Sequence, residues 1–107
     1  MTDAVVFPID IIVAEIRAEL ELATQKFPKW PTDPLHALAI LGEEFGELNK
    51  AMLQLTYESH KSSHEQVFNE AIQTAAMAVR LAMSLHHYKY RMCPQHEQQA
   101  CQEVPGD

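Results

Sequence analysis

Glycine is scarce in this chain: only three of the 107 residues are glycine. β-branched residues are also sparse beyond the first helical stretch, whereas alanine, leucine, glutamate and glutamine are plentiful. That balance favours helix over sheet, and an all-α fold is expected. Cysteine is nearly absent: Cys93 and Cys101 are the two, both near the C-terminal end. A structural disulfide is not expected in a reducing cytosol. Cys93, His96 and Cys101 lack a fourth ligand and match no zinc spacing, so they are read as incidental. No cluster of Lys and Arg stands out, and the net charge is −7. That argues against an electrostatic grip on DNA or RNA as a polymer. It does not exclude a single nucleotide, because a divalent cation can bridge carboxylates to phosphates. The longest apolar runs, Ala37–Leu41 and Ala75–Val79, are far too short to span a bilayer. Met1-Thr2-Asp3 has no basic n-region. A cytoplasmic protein without membrane association is the expectation.

The length suits one domain with a modest core. Hydrophobic content of 47% and charged content of 21% mark a globular chain. The periodicity predicts a first helix over roughly Ile9–Lys26, with an apolar stripe of Ile9, Val13, Ile16, Leu20, Ala23 and Phe27. Glu15, Arg17, Glu19 and Glu21 fall on the opposite side. Pro28 disfavours helix at Phe27. Asp33 is a good N-cap and Pro34 suits the first helical position, so a second helix runs from there to about Tyr57. Ser63 and Gln66 have capping-box spacing. They predict a third helix from about His64 to about Tyr90. Residues 1–90 are read as one helical domain. Residues 91–107 are read as a polar, mobile tail, rich in glutamine and without apolar period.

Two features depart from an ordinary bundle. From Ala71 to Leu85 the third helix is apolar almost all round, with Gln73, Thr74, Arg80 and Ser84 as exceptions. Three helices of one chain cannot cover every side of it, which points to burial by another subunit. The second feature is Gly42-Glu43-Glu44-Phe45-Gly46-Glu47-Leu48, with three carboxylates in five residues. Leu38, Leu41, Phe45, Leu48, Met52 and Leu55 form one stripe. Ala37, Ile40, Glu44, Glu47 and Ala51 form another. Glu44 and Glu47 are thus i,i+3 neighbours among small apolar residues. Adjacent carboxylates repel, which raises a pKa or calls for a cation. On the third helix Gln66, Glu70, Gln73, Met77, Arg80, Ser84 and His87 make the one polar stripe. Antiparallel packing would set Glu70 and Gln73 opposite Glu44 and Glu47. An all-oxygen set suits Mg²⁺ or Mn²⁺. A solvated acidic patch on a purely structural oligomer is the plain alternative.

Glu44-Phe45-Gly46-Glu47, in the context Leu41 to Leu48, followed by Glu70-Ala71-Ile72-Gln73, resembles the paired E-x-x-E and E-x-x-D motifs of the MazG-like all-α nucleotide pyrophosphohydrolases. The resemblance covers about residues 10–90, and Gln73 departs from the family's aspartate. It implies a bundle of three long helices completed as a dimer or tetramer. It also implies Mg²⁺, or Mn²⁺, held by Glu44, Glu47, Glu70 and the Gln73 position. The implied reaction cuts a nucleoside triphosphate into monophosphate and pyrophosphate, in a nucleotide-pool housecleaning role, with Glu43 or Glu47 orienting the attacking water. Arg80 could meet a phosphate or be a surface or interface arginine paired with a glutamate. Lys50 could do the same or form a helix-surface salt bridge. Trp30 could stack on a base or plug the bundle end, and Asn49 could read a base edge. Gln73 leaves open a weakened binding or regulatory module on the same fold. A di-iron bundle is disfavoured because no Glu-x-x-His pair is present.

Overall fold

The computed structural model describes residues 6–91. The fold is all-α: three packed helices and, among the described residues, no strand. The helices are α1 (Ile9–Lys26), α2 (Pro34–Tyr57) and α3 (His64–Met83). A 3-10 turn, Ser59–Lys61, joins α2 to α3, and a second, Leu85–His87, follows α3.

The sequence sets these ends chemically. Pro8 precedes α1 in extended conformation. The Asp33 carboxylate accepts from the Leu35 N–H at 2.9 Å, with Pro34 opening α2. The Ser63 hydroxyl accepts from the Gln66 N–H at 3.0 Å at the start of α3. Each bond satisfies a donor that the helix itself leaves orphaned.

The end of α3 departs from expectation. The helix stops at Met83 rather than near Tyr90. The Ser84 N–H donates to both the Arg80 and Leu81 carbonyls, which tightens the last turn. The chain then turns back under the α1–α2 loop. Trp30 Nε1 donates to the Tyr88 hydroxyl at 2.8 Å, and that hydroxyl donates to the Leu81 carbonyl at 3.2 Å. The Lys89 N–H donates to the Thr32 carbonyl at 2.8 Å. A straight helix would carry Tyr88 away from Trp30 and lose this clamp. Of the tail, only Arg91 is described. Cys93, His96 and Cys101 lie outside the described residues.

Helix α3 is the centre of the molecule. It packs against α1 on one side and α2 on the other. Among the described residues, α1 and α2 nowhere bring Cα atoms within 8 Å of each other. The pairing is readable from contacts. Phe7 meets Phe68 with ring centroids 5.3 Å apart, and Arg80 meets the Phe27 carbonyl, so α1 and α3 run parallel. Thr74 bonds to Glu44, while Glu47 approaches Glu70, so α2 and α3 run antiparallel. The interior is made of small residues: Ala37, Ala51 and Ala76 are the most deeply buried, with Val67, Ile72, Met77 and Tyr88 around them. Alanine on both sides lets the α2 and α3 backbones come close.

Much apolar surface is left outside. On α1, Ile9, Val13 and Phe27 of the expected stripe are exposed, because no second helix covers them. The half-buried line toward α3 is Ile12, Ile16, Glu19, Leu20 and Ala23 instead. On α2, Leu35, Leu38, Phe45, Met52 and Leu53 are exposed. On α3 and beyond, Val79, Met83 and Leu85 are exposed.

Candidate metal centre and its cleft

The face of α2 that meets α3 carries Ala37, Ile40, Glu44, Glu47 and Ala51. The alanines are buried flat against α3, which draws the two glutamates toward Glu70. Glu44, Glu47 and Glu70 each bring one carboxylate oxygen to a common point, all within 4.8 Å of one another. Oε2 of Glu44 and Oε2 of Glu70 are shut off from solvent and have no hydrogen-bond partner. Glu47 is the exposed member of the three.

The electrostatics follow from that crowding. Burial pushes the Glu44 carboxyl above its ordinary range, and the charges of Glu47, Glu19 and Glu43 push it further, in that order. The Glu70 carboxyl is also raised. Burial is the largest cause, then a hydrogen bond its protonated form gives to Glu47, then the charges of Glu47 and Glu44. Carboxylates packed this way prefer to hold a proton or share a cation. The donor set is all oxygen and anionic, the type of ligand that hard divalent cations take.

Thr74 ties the two helices at this level. Its hydroxyl lies 2.8 Å from the Glu70 carbonyl and 3.1 Å from the Glu44 carbonyl, so one donor serves both backbones. The sequence marks Thr74 only as a polar break in an apolar helix. Its i−4 bond is the usual habit of threonine in a helix, and the link to Glu44 needed the packing.

Because α1 and α2 splay apart, a cleft of about 1000 Å³ opens between them, with α3 as its floor. One end is acidic: Glu19 from α1, with Glu43 and Glu44 from α2 and Gln73 from α3. Glu19 was read as a solvent-side residue; its place is fixed by the parallel packing of α1 on α3. Gln73 lies one turn beyond Glu70 and also lines a smaller cavity of about 290 Å³ beside Glu15, Glu19 and Asn69. The other end is closed by the α1–α2 loop and carries Lys26, Lys29, Trp30 and Arg80. Arg80 is buried. Its Nη2 donates to the Phe27 carbonyl at 2.6 Å, and its guanidinium lies over the Trp30 ring, 4.7 Å from the centroid. Asn49 and Lys50 are exposed on α2 and line neither cavity.

No family model matches the chain, and neither a curated protein nor a solved structure does. Fold and site show an all-α three-helix domain with a carboxylate cluster beside a splayed cleft. No helix among the described residues is long and apolar enough to cross a membrane.

Proposed function

We propose that the protein is a Mg²⁺-dependent nucleoside triphosphate pyrophosphohydrolase of the MazG-like all-α type. The observation that carries this reading is the convergence of Glu44, Glu47 and Glu70 within 4.8 Å, with buried, unpartnered oxygens on Glu44 and Glu70. Like charges placed so close, with one oxygen each of Glu44 and Glu70 shut off from water, are relieved by a proton or by a cation. A divalent cation there would neutralise phosphate charge and lower the pKa of a water. Glu44 and Glu70 would hold it through their buried oxygens, and Gln73 would offer a neutral carbonyl oxygen. Glu47, being more exposed, or Glu43, at the cleft margin, would orient the attacking water and take its proton. The water oxygen bonds to the α-phosphorus, the α–β bridging bond breaks, and pyrophosphate leaves. The cleft beside the carboxylates has the volume for the nucleoside.

The outer face of α2 supports the oligomer that the resemblance implies. Its exposed residues, Leu35, Leu38, Phe45, Asn49, Met52 and Leu53, include no charge. A second copy of this chain, presenting the same face through a two-fold axis, is the proposed occupant. Gln73 favours a second functional reading, a nucleotide-binding module without turnover. A panel of NTPs and dNTPs with Mg²⁺ or Mn²⁺, assayed for pyrophosphate, separates the two. Metal-dependent release supports the hydrolase. Binding without release supports the module, and neither binding nor release sinks both.

A further inference from the structure

The closed end of the cleft holds an unusual cation. Arg80 is only 7% exposed, yet no carboxylate among the described residues pairs with it. A buried charge without a counter-charge is costly. Part of that cost is met by the Phe27 carbonyl and the Trp30 ring. A guanidinium has five N–H donors, and the protein engages few of them. None of its nitrogens is both sealed from solvent and unpartnered, and Arg80 lines the cleft. Lys26 and Lys29 line the same end. The chain is strongly acidic overall, so this gathering of three cations, with the neutral Gln25 and His36 beside them, is not a product of average composition.

Its distance from the carboxylates says which part of a ligand meets it. The Arg80 backbone lies about 15 Å along α3 from that of Glu70 and about 10 Å from that of Gln73, at 1.5 Å per residue. A triphosphate whose α and β groups sit at Glu44, Glu47 and Glu70 has its γ-phosphate on one side of the carboxylates and its nucleoside on the other. Between the two poles the walls are apolar, with Leu22, Ile40 and Met77. Apolar walls suit a sugar and a base better than phosphates. The nucleoside therefore fills the cleft, and the base edge arrives at Arg80.

Resting on the hydrolase reading, we propose that Arg80 is a specificity-determining residue that selects nucleobases with a carbonyl oxygen where adenine carries its amino group, namely guanine (O6) and uracil or thymine (O4), over adenine. Arg80, Lys26 and Lys29 can only donate. Guanine offers O6 and N7 as paired acceptors, the pattern an arginine fork matches, and the oxopyrimidines offer carbonyl oxygens. Adenine would turn its amino donor toward donors. Trp30 holds the guanidinium in place from behind and is itself anchored through Tyr88. It acts on the base through Arg80.

Trp30 is the single tryptophan and reports on this end of the cleft by fluorescence. The test titrates wild type and Arg80→Lys, with Mg²⁺, against α,β-methylene triphosphates of guanosine, uridine and adenosine, which resist cleavage. The guanine and uracil compounds should bind at least about tenfold more tightly than the adenine compound. Arg80→Lys keeps the charge but loses the fork, and it should bring the three affinities together while the circular dichroism stays that of the wild type. If Arg80→Lys fails to fold, the wild-type ratios decide alone. Equal affinities in the wild type, tighter adenine binding, absence of binding, or a preference that survives in folded Arg80→Lys would each overturn the proposal. Turnover of the natural triphosphates keeps the two readings apart. Base-selective binding without pyrophosphate release ends the hydrolase reading and leaves the pocket standing. Release at equal rates from all bases does the reverse.

Discussion

The two faces of α2 are inverted relative to an ordinary surface helix. The face turned inward, against α3, holds Glu44 and Glu47 between Ala37 and Ala51. The face turned outward holds Leu35, Leu38, Phe45, Met52 and Leu53, all exposed, and no charge. A helix with one neighbour should bury its leucines and hydrate its glutamates. Ile40, Leu41, Leu48 and Leu55 are half-buried beside the glutamates, so hydrophobic burial within the chain explains only part of this arrangement. On the proposed function, two separate demands explain the rest: the inner face would hold a cation and the outer face would meet a second copy of the chain.

The inner face breaks most sharply at Glu47. Glu47→Gln removes one of the three converging charges while keeping the side-chain shape. Metal-dependent pyrophosphate release should fall by about a hundredfold or more, the scale of losing one charge-stabilising group. Helix content by circular dichroism should stay unchanged. The stability of the metal-free protein should hold or rise, because repulsion with Glu44 and Glu70 is relieved. Full turnover in this variant would place the chemistry elsewhere.

The outer face breaks at Phe45, which is 53% exposed at its middle. Phe45→Glu puts a charge where a second copy would have to desolvate it, at a cost of several kcal/mol. Sedimentation should show the assembly shifting to monomer, while the α2–α3 packing within one chain persists. A wild-type protein that sediments as a folded monomer at micromolar concentration would leave the inverted face without its explanation.

Gln73 sharpens the inner side of the comparison. Gln73→Asp replaces a neutral carbonyl oxygen by an anionic one and restores the paired-acid pattern. If the position is a ligand, Mg²⁺ or Mn²⁺ affinity by calorimetry should rise by about tenfold, comparable to other adjustments around a metal, and any turnover should rise with it. The aspartate is shorter by one carbon, so the gain is partial. No gain in either quantity would remove Gln73 from the site.

How far these faces could be read in advance depended on the range of the forces involved. Helix starts are local chemistry. Asp33 with Pro34, and Ser63 with Gln66, state them within four residues, and the structure agrees. The meeting of Glu44, Glu47 and Glu70 was also legible, because their spacing on two antiparallel helices leaves them few other arrangements. The end of α3 was not. Leu85 continues its apolar period, and nothing before Pro94 breaks a helix. What stops it is the bond from Trp30 to Tyr88, 58 residues away. Glu19 was hidden for a similar reason. It sits among Glu15, Arg17 and Glu21 on what reads as a solvated side, and only the splaying of α1 from α2 turns it into the cleft. The apolar circumference of α3 was read as its outer surface meeting a partner. Within one chain the middle of that circumference is covered by α1 and α2, and α2 has an uncharged outer face of its own.

Protons offer a gentler probe of the inner face. The Glu44 and Glu70 carboxyls are raised in the folded protein by burial and neighbouring charge. Between the ordinary carboxylate value and the raised one, the folded state binds more protons than the unfolded state. Stability from these groups is therefore greatest below that window, falls as pH rises through it, and is flat above. The metal-free melting temperature should drop by a few degrees across the window. Saturating Mg²⁺ at neutral pH should restore it, because the cation replaces the lost protons. Glu44→Gln should flatten the pH dependence. A slope that persists in full in that variant would assign it to other groups.

The smallest effect separates the two demands on α2 most cleanly. Gly42 and Gly46 lie one turn apart in mid-helix, where glycine costs up to about 1 kcal/mol relative to alanine. A Cβ built at either position meets nothing within 4 Å, so neither glycine is required by packing inside the chain. Gly46→Ala should stabilise an isolated chain by up to about 1 kcal/mol through lost backbone freedom in the unfolded state. If a second copy lays its own α2 across this point, the methyl group has no room there and the sign reverses. The assembly would then loosen while the single chain gains. Measuring both quantities, the denaturant midpoint in the Phe45→Glu monomer background and the dissociation constant in the wild-type background, reads the two faces independently. A gain in both would mean that the partner copy keeps its distance from Gly46, and the proposed contact along α2 would have to shift toward Leu38, Phe45 and Met52.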